Sequence, residues 1–348
     1  LVPSFPNADG STPRLLAGHL AGIGHYQRED QIDRRHQYAS VEEALGSFSR
    51  SPRVGRPGER YAYSTHGYTL LSRAAEAAAG VPFLRYLATD VFGPLGMTHS
   101  GPEMRSDLPA SMATLYYRRG REPLPIAQPE NPSYKWAGGG LLSTPTDLVR
   151  MGSGYLQGFI DPAVREVMWT GQHTASGEPT GVAVGWRVGE DFEGRRVVHH
   201  AGSMGGARSV LIIYPDEGAV VATTTNTTWV SSVERNAQVL LEALLRSEPV
   251  GVGRVRASTV TTVDTVSATG SVRIDGATGW VSTPPALAQL FSQASVDSLR
   301  IFQLRGELWA VVTPVGTTAL TLGVSADSVR GEASLGSRRW RFQGRRRP

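Results

Sequence analysis

Pro57-Gly58-Glu59-Arg60-Tyr61-Ala62-Tyr63-Ser64-Thr65-His66-Gly67-Tyr68-Thr69-Leu70-Leu71 is the stretch on which the fold turns. It reads as a Pro-Gly turn, a short extended piece bearing two tyrosines, and a Ser/Thr cap. The cap opens a helix whose apolar positions are Leu70, Leu71, Ala74, Ala75 and Ala78. This join sets a tyrosine hydroxyl at a helix mouth, where partial positive charge favours phenolate or a hydrogen-bonded phenol. A proton-transfer tyrosine and a buried connector tyrosine both suit the pattern.

Upstream, Ser11-Thr12-Pro13 predicts a short helix over 14–20 that ends at Gly22 and Gly24. His19 and His25 stand six apart, a poor spacing for two ligands on one helical face, and read as structural. Ser40-Val41-Glu42-Glu43 predicts a capping box. Downstream, the central helix stops at Gly80, and a second one over 82–92 presents Phe83, Tyr86, Leu87, Val91 and Phe92 on one face. Two capped amphipathic helices in succession mark a helical lobe.

Residues 101–130 are loop-like, with a strand-like piece at 114–117. After them, Thr144 caps a helix with Pro145 at its first position and Asp147 three past the cap. The preceding Gly138-Gly139-Gly140 needs a reason, since glycine costs ~0.5–1 kcal/mol against alanine in regular structure. Close approach of another backbone or a ligand supplies one.

Alternation then takes over at 182–188, 195–200, 209–214 and 219–226, with Pro215-Asp216-Glu217-Gly218 as a hairpin turn. Hairpins in succession mean an antiparallel sheet. A helix over 233–245 is suited to packing on a sheet face. Residues 246–256 read as a linker. Beyond them come short strands at 260–266, 271–274, 299–304, 308–312, 319–324 and 338–342, a hairpin turn at Arg305-Gly306 and one helix at 285–293. The class is α+β: a domain at 1–245 and a small, mostly β appendage at 257–348.

Composition bounds the chemistry. The 348 residues are 40 % hydrophobic and 19 % charged, which is globular. Net charge is +4, but six arginines lie in the last eleven residues, and without them the balance becomes −2. The tail reads as a solvated terminal strand rather than a nucleic-acid surface. Lys135 is the sole lysine. Zero cysteines exclude disulfides, thiol catalysis and thiolate metal sites. No metal or organic cofactor is indicated. No apolar run reaches the ~18 residues of a membrane span.

The order of these pieces resembles the serine β-lactamase and penicillin-binding-protein superfamily, in its class C-related branch. The run 57–71 resembles that branch's tyrosine motif, and Tyr134 to Asp147 its Ala-Gly-Gly segment. His200-Ala201-Gly202-Ser203 with the strand after it resembles its Lys/His-x-Gly motif. Tyr63-Ser64-Thr65 and Tyr134-Lys135-Trp136-Ala137-Gly138-Gly139-Gly140 resemble in particular the mitochondrial β-lactamase-like proteins and their bacterial relatives. The resemblance spans about residues 1–245. It implies a β-lactamase/transpeptidase-like fold and an acyl-enzyme reaction on a small-molecule or peptide amide or ester, and it suggests a bacterial periplasmic or extracellular setting.

The resemblance also implies roles. Tyr63 takes or relays the proton of a serine nucleophile and later protonates the leaving group. Thr65 hydrogen-bonds the catalytic lysine or the substrate amide. His200 faces the site from the sheet edge and keeps Tyr63 ionisable. Ser203 offers a backbone N–H to an oxyanion hole, and Gly202 and Gly205 let substrate approach the strand edge. His199, its neighbour on the strand, faces the other way.

The superfamily draws its nucleophile from Ser-x-x-Lys, one helical turn. Three residues before Lys135 stands Pro132, so these residues contain no such motif. The chain also begins at Leu1 rather than Met. Together these lead to the expectation of an N-terminally incomplete hydrolase domain with a marginally soluble, unpaired sheet edge. Ala201-Gly202-Ser203-Met204-Gly205 approximates a nucleophile elbow, but an elbow needs a helix where a strand is predicted. Ser153 has no adjacent base. The rival readings are a binding or assembly protein that keeps the pocket without the chemistry, and an envelope or nucleic-acid binder acting through the arginine tail.

Overall fold

The computed structural model describes residues 2, 5–6, 9–119, 122–126, 130–230, 232–245, 254–263, 266–282, 298–305, 307–313, 316–335 and 338–347. The chain divides into two compact units. One comprises Leu1–Thr114, Ile126–Met204 and Val210–Thr224; the other Leu115–Pro125, Gly205–Ser209 and Thr225–Pro348.

The helices follow their caps. Helix α1 (Pro13–Ala17) starts at Thr12, whose hydroxyl accepts the Leu15 N–H, and α2 (Val41–Gly46) starts at Ser40. Glu43 returns its bond to the Ala39 N–H at 2.6 Å, one residue outside the box the sequence suggests. Helix α3 (Thr65–Ala79) runs from Ser64 to Gly80, which takes the left-handed conformation, φ 70°, that favours glycine. Helix α4 (Phe83–Tyr86) passes into a π-helical turn, Leu87–Phe92, where the Gly93 N–H reaches back to Ala88 O at 3.0 Å. The wider turn breaks the 3.6-residue period. The apolar face expected over 82–92 persists all the same: Phe83, Tyr86, Leu87, Val91 and Phe92 are half-buried, while Pro82, Arg85, Ala88, Thr89 and Asp90 are exposed.

After a 3₁₀ turn at Pro132–Lys135 come α5 (Trp136–Gly139), α6 (Pro145–Leu156) and α7 (Pro162–Trp169). Thr144 caps α6 as expected, but Asp147 bonds elsewhere. Wholly buried, its carboxylate accepts the His99 N–H at 2.8 Å and the Ser100 hydroxyl at 2.9 Å, and it pairs with Arg150 at 2.7 Å. Those bonds fasten the loop before residue 101 to α6.

In chain order the first strands are β1 (Gly101–Pro102), β2 (Tyr116–Arg119), β3 (Glu122–Pro125), β4 (Leu141–Leu142), β5 (Arg187–Glu190), β6 (Arg196–Met204), β7 (Ala207–Tyr214) and β8 (Ala219–Thr225). Strands β5 to β8 form one four-stranded sheet in sequence order, with Arg187 opposite His199. Of the strand expected at 182–188 only Arg187 and Val188 belong to one, β5, and the residues before them bend. Gly185 lies at φ 81°, and Val182 makes only an isolated bridge to Arg187. Ala183 and Trp186 bury in the core with Trp169, Val198, Leu211 and Ile213, against which α6 packs. A second core gathers Phe5, Leu16, Leu45, Phe48, Leu70 and Trp136 around α3.

In the second unit, α8 (Val233–Leu245) packs against barrel strands β12 and β14. Strands β9 (Arg254–Val263), β10 (Val266–Asp275), β11 (Thr278–Ser282), β12 (Ser298–Arg305), β13 (Leu308–Thr313), β14 (Gly316–Val324), β15 (Ser328–Leu335) and β16 (Arg338–Arg347) close into an antiparallel barrel. Each pairs with the next, and β16 returns to β9, so no sheet edge remains. Inward residues such as Ile274, Val281, Ile301, Trp309 and Leu320 fill the barrel. The arginine-rich tail is thus the closing strand. Strand β15 was not expected. Its Gly331 packs flat against the Phe342 ring, where a Cβ would approach to 2.5 Å, so a weak strand former stands where no side chain fits. The linker at 246–253, the helix at 285–293 and Gly306 of the hairpin turn lie outside the described residues, and 254–256 belong to β9.

Candidate functional site

The mouth of α3 presents several backbone donors to satisfy. The Ser64 hydroxyl accepts the Gly67 N–H at 2.9 Å and donates to Gly24 O at 2.8 Å. The Ser64 N–H itself goes to His19 Nδ1, and the Thr65 N–H to His25 Nδ1, each at 3.1 Å. Two imidazoles from the segment after α1 therefore cap this helix. As acceptors at Nδ1, both are neutral with the proton on Nε2.

This capping holds Tyr63. The His19 ring lies 4.4 Å from the Tyr63 ring and 5.2 Å from that of Tyr68, and Tyr61 meets it edge-on at 5.8 Å. His25 meets Tyr63 edge-on at 5.3 Å. The Tyr68 hydroxyl is tied to Ala17 O at 2.8 Å. His19 adopts φ 57°, unusual for a residue with a Cβ, and its backbone is fixed by the Ala62 N–H on its carbonyl at 2.9 Å. Tyr63 itself remains 39 % exposed.

Electrostatics follow from burial. His19 is pushed down to about 4, first by burial and then by the charges of His200, Arg187 and His25. His25 is lowered by burial, then by His66 and Lys135. Tyr63 is raised: burial outweighs the hydrogen bond with Thr65 and the charge of Arg187. This corrects the expectation that the helix mouth and His200 keep Tyr63 ionisable. In this setting it is a neutral phenol. His66, one residue into α3, is buried, stacks on Phe48 at 4.1 Å and donates from Nε2 to Asp30 at 2.7 Å, anchoring the helix start from the opposite side.

The glycine run has its reason. A Cβ on Gly138 would stand 2.5 Å from Thr65 Cγ2 and 2.9 Å from Thr65 O, so α5 presses directly on the first residue of α3. Lys135 is buried and bonded to Glu130 at 2.7 Å, with its ammonium 5.0 Å from the Tyr134 ring.

The sequence-derived residues fall as follows. Tyr63 and Thr65 flank the capping Ser64 at the mouth of α3, and Thr65 lies close enough to act on the Tyr63 hydroxyl. His200 lies on β6, within electrostatic reach of His19. Gly202 and Ser203 are exposed near the end of β6, and Gly205 sits in the turn after it. Strand β7 follows that turn, so the nucleophile-elbow reading of 201–205 fails for want of a helix. Ser153 lies inside α6. His19, His25 and Arg187 are the contributors that sequence reasoning missed. Their partners are 40 or more residues away in the chain or across a sheet, beyond any local spacing rule. Among the described residues no group of three or more His, Asp or Glu could hold a metal ion. No described helix is long and apolar enough to cross a membrane.

Comparison with known proteins places this geometry. The family model described as Beta-lactamase matches residues 2–245. Serine beta-lactamase-like protein LACTB, mitochondrial, of Homo sapiens is 31 % identical over 209 residues, which is 53 % of this chain and 38 % of that protein. The chain thus corresponds to well under half of that relative's length. Among solved structures, a D-stereospecific amidohydrolase from Streptomyces sp. superposes with a TM-score of 0.57 at 21 % identity, covering 67 % of this chain and 74 % of the other. The octameric penicillin-binding protein homologue from Pyrococcus abyssi gives 0.56 at 19 % identity, covering 94 % and 77 %. At such identities these two similarities speak to fold.

Proposed function

We propose that this chain, which belongs to the beta-lactamase family, carries the proton-transfer half of a serine hydrolase that works by acyl transfer on a small-molecule or peptide amide or ester. The observation that carries the reading is Tyr63, an exposed tyrosine at a helix mouth, beside Thr65 and backed by the His19 ring. A neutral phenol suits protonation of a leaving group. To accept the nucleophile's proton it must pass its own onward, so Tyr63 acts as a relay rather than a resting phenolate. Thr65 orients that hydroxyl. His200 and Arg187 place positive charge or hydrogen-bond donors on the side where the anionic intermediate forms, and the exposed end of β6 at Gly202 and Ser203, with Gly205 in the turn, offers backbone N–H groups to an oxyanion.

The 348 residues hold no Ser-x-x-Lys. Acyl-enzyme formation therefore rests on a serine and lysine from outside them. The test is made on the gene with its flanking sequence, using p-nitrophenyl acetate and a D-amino-acid p-nitroanilide. Tyr63→Phe is expected to lower kcat about 10²–10⁴-fold with the urea midpoint unchanged; an unchanged kcat removes Tyr63 from the mechanism. The same missing motif favours a second reading, a binding or assembly protein that retains the pocket. Failure of the full gene product to react with a fluorophosphonate serine probe would decide for it.

A further inference from the structure

The barrel exterior carries a row of side chains that its own packing does not explain. Arg256 of β9 stands opposite Arg273 of β10, Arg273 opposite Trp280 of β11, and Trp280 opposite Arg300 of β12. All four are exposed, and Trp280 is 39 % accessible although it is an indole on a solvent face. Like charges directly opposite each other in a ladder are destabilising. The same barrel shows how such charges are ordinarily balanced: Glu332 of β15 lies opposite Arg341, bonds it at 3.1 Å and stands 3.8 Å from Arg339. Among the described residues Arg256, Arg273 and Arg300 pair with no carboxylate.

The row borders a groove of about 460 Å³ lined by Arg256, Arg273, Asp275, Thr278 and Trp280, within the size range of small-ligand sites. Arg300 lies over the Trp280 ring at 5.0 Å and takes one side of the indole. The groove lies on the other, towards Arg273 and Arg256.

We infer that this groove binds an acidic saccharide, with a sugar ring on the free side of Trp280 and its carboxylate or phosphate on Arg256 and Arg273. Two arginines at directly opposed positions of strands that run ~4.8 Å apart can grip one anionic group from two sides. The Asp275 carboxylate and the Thr278 hydroxyl, paired two residues further along β10 and β11 at the same groove, select for hydroxyl donors. A carboxylate in the groove repels the continuous phosphate backbone of a nucleic acid, and it accepts from sugar hydroxyls. This site lies in the barrel and is independent of the chemistry proposed at Tyr63.

The test is isothermal titration calorimetry on the whole chain with a glucuronate-containing tetrasaccharide, against a neutral tetrasaccharide of equal length, inorganic phosphate and a single-stranded oligonucleotide. The acidic tetrasaccharide is expected to bind at least about tenfold more tightly than each of the other three. Trp280→Ala, and separately Arg256→Gln with Arg273→Gln, should each weaken it about tenfold or more, with unchanged urea midpoints because all three side chains are exposed. No binding of the acidic tetrasaccharide, equal binding of the neutral one, affinity unaffected by either variant, or tighter binding of phosphate or the oligonucleotide each overturns the inference.

Discussion

Replacing His19 by Asn separates its two duties at the mouth of α3, accepting a hydrogen bond and refusing a proton. Asn places Oδ1 near the position of Nδ1, so it can still accept the Ser64 N–H. Among residues with a Cβ it also tolerates the φ of 57° that this site demands. What it lacks is a titratable ring. In the native protein, protonating His19 at Nδ1 would set an N–H against the Ser64 N–H and put a cation into a buried cluster with His25, Arg187 and His200.

The magnitude follows from linkage. His19 moves from an ordinary 6.5 to about 4 on folding, so below pH 6.5 the unfolded chain takes up a proton that the folded chain refuses. Stability from the neutral imidazole is complete above 6.5 and is lost as the pH falls towards 4. The full loss is about 3 kcal/mol, and about 2 kcal/mol of it is gone by pH 5. Urea midpoints at pH 7.5, 6, 5 and 4.5 for the wild type and for His19→Asn measure it. His25, His66 and the carboxylates titrate in both proteins, so the difference between the two curves isolates His19. The wild type should lose about 2 kcal/mol more than the variant between pH 7.5 and 5. Parallel curves would refute the placement of His19 as a neutral cap.

Two further substitutions test the supports of the same helix and the loop beside it. Gly138→Ala should cost about 1–3 kcal/mol by urea melt, because the new methyl meets the side chain and carbonyl of Thr65, a residue whose backbone is held in place by its N–H bond to His25 Nδ1. Asp147→Ala should cost about 3 kcal/mol and raise hydrogen exchange at the His99 amide, since it strands that N–H and the Ser100 hydroxyl; a protected His99 amide in the variant would contradict the tether.

What could be read from the sequence was chemistry that acts within one turn. Thr12, Ser40, Ser64 and Thr144 cap helices three residues or fewer downstream, and Gly80 ends α3, so those boundaries stand where local rules put them. The order of the motifs was enough to indicate the family. Local rules failed where a residue's partner lies far off in the chain. The pattern at 182–188 alternates well enough for a strand, yet burying Ala183 and Trp186 in the core required the turn at Gly185. Barrel closure depends on β16 returning to β9, a pairing of residues about eighty apart that no turn residue announces.

His19 and His25 show the limit most sharply. Six residues is a poor spacing for a shared metal, and nothing near them in the chain names their partners. The partners are two amides at the mouth of a helix, 45 and 40 residues further on. Yet the helix itself asked for them. A helix beginning at Ser64 in a buried position has amides that its own hydroxyl cannot all satisfy, and the Ser64 and Thr65 N–H groups need acceptors from elsewhere. Asp or Glu in that place would serve, but its charge would favour protonated partners and draw His200 and Arg187 into ion pairs. A neutral imidazole satisfies the amide and lies tilted against the Tyr63 ring, adding no charge to the cluster. The choice of histidine over a carboxylate is therefore intelligible only once the site is assembled, and it ties the stability of α3 to the pH range in which Tyr63 would work.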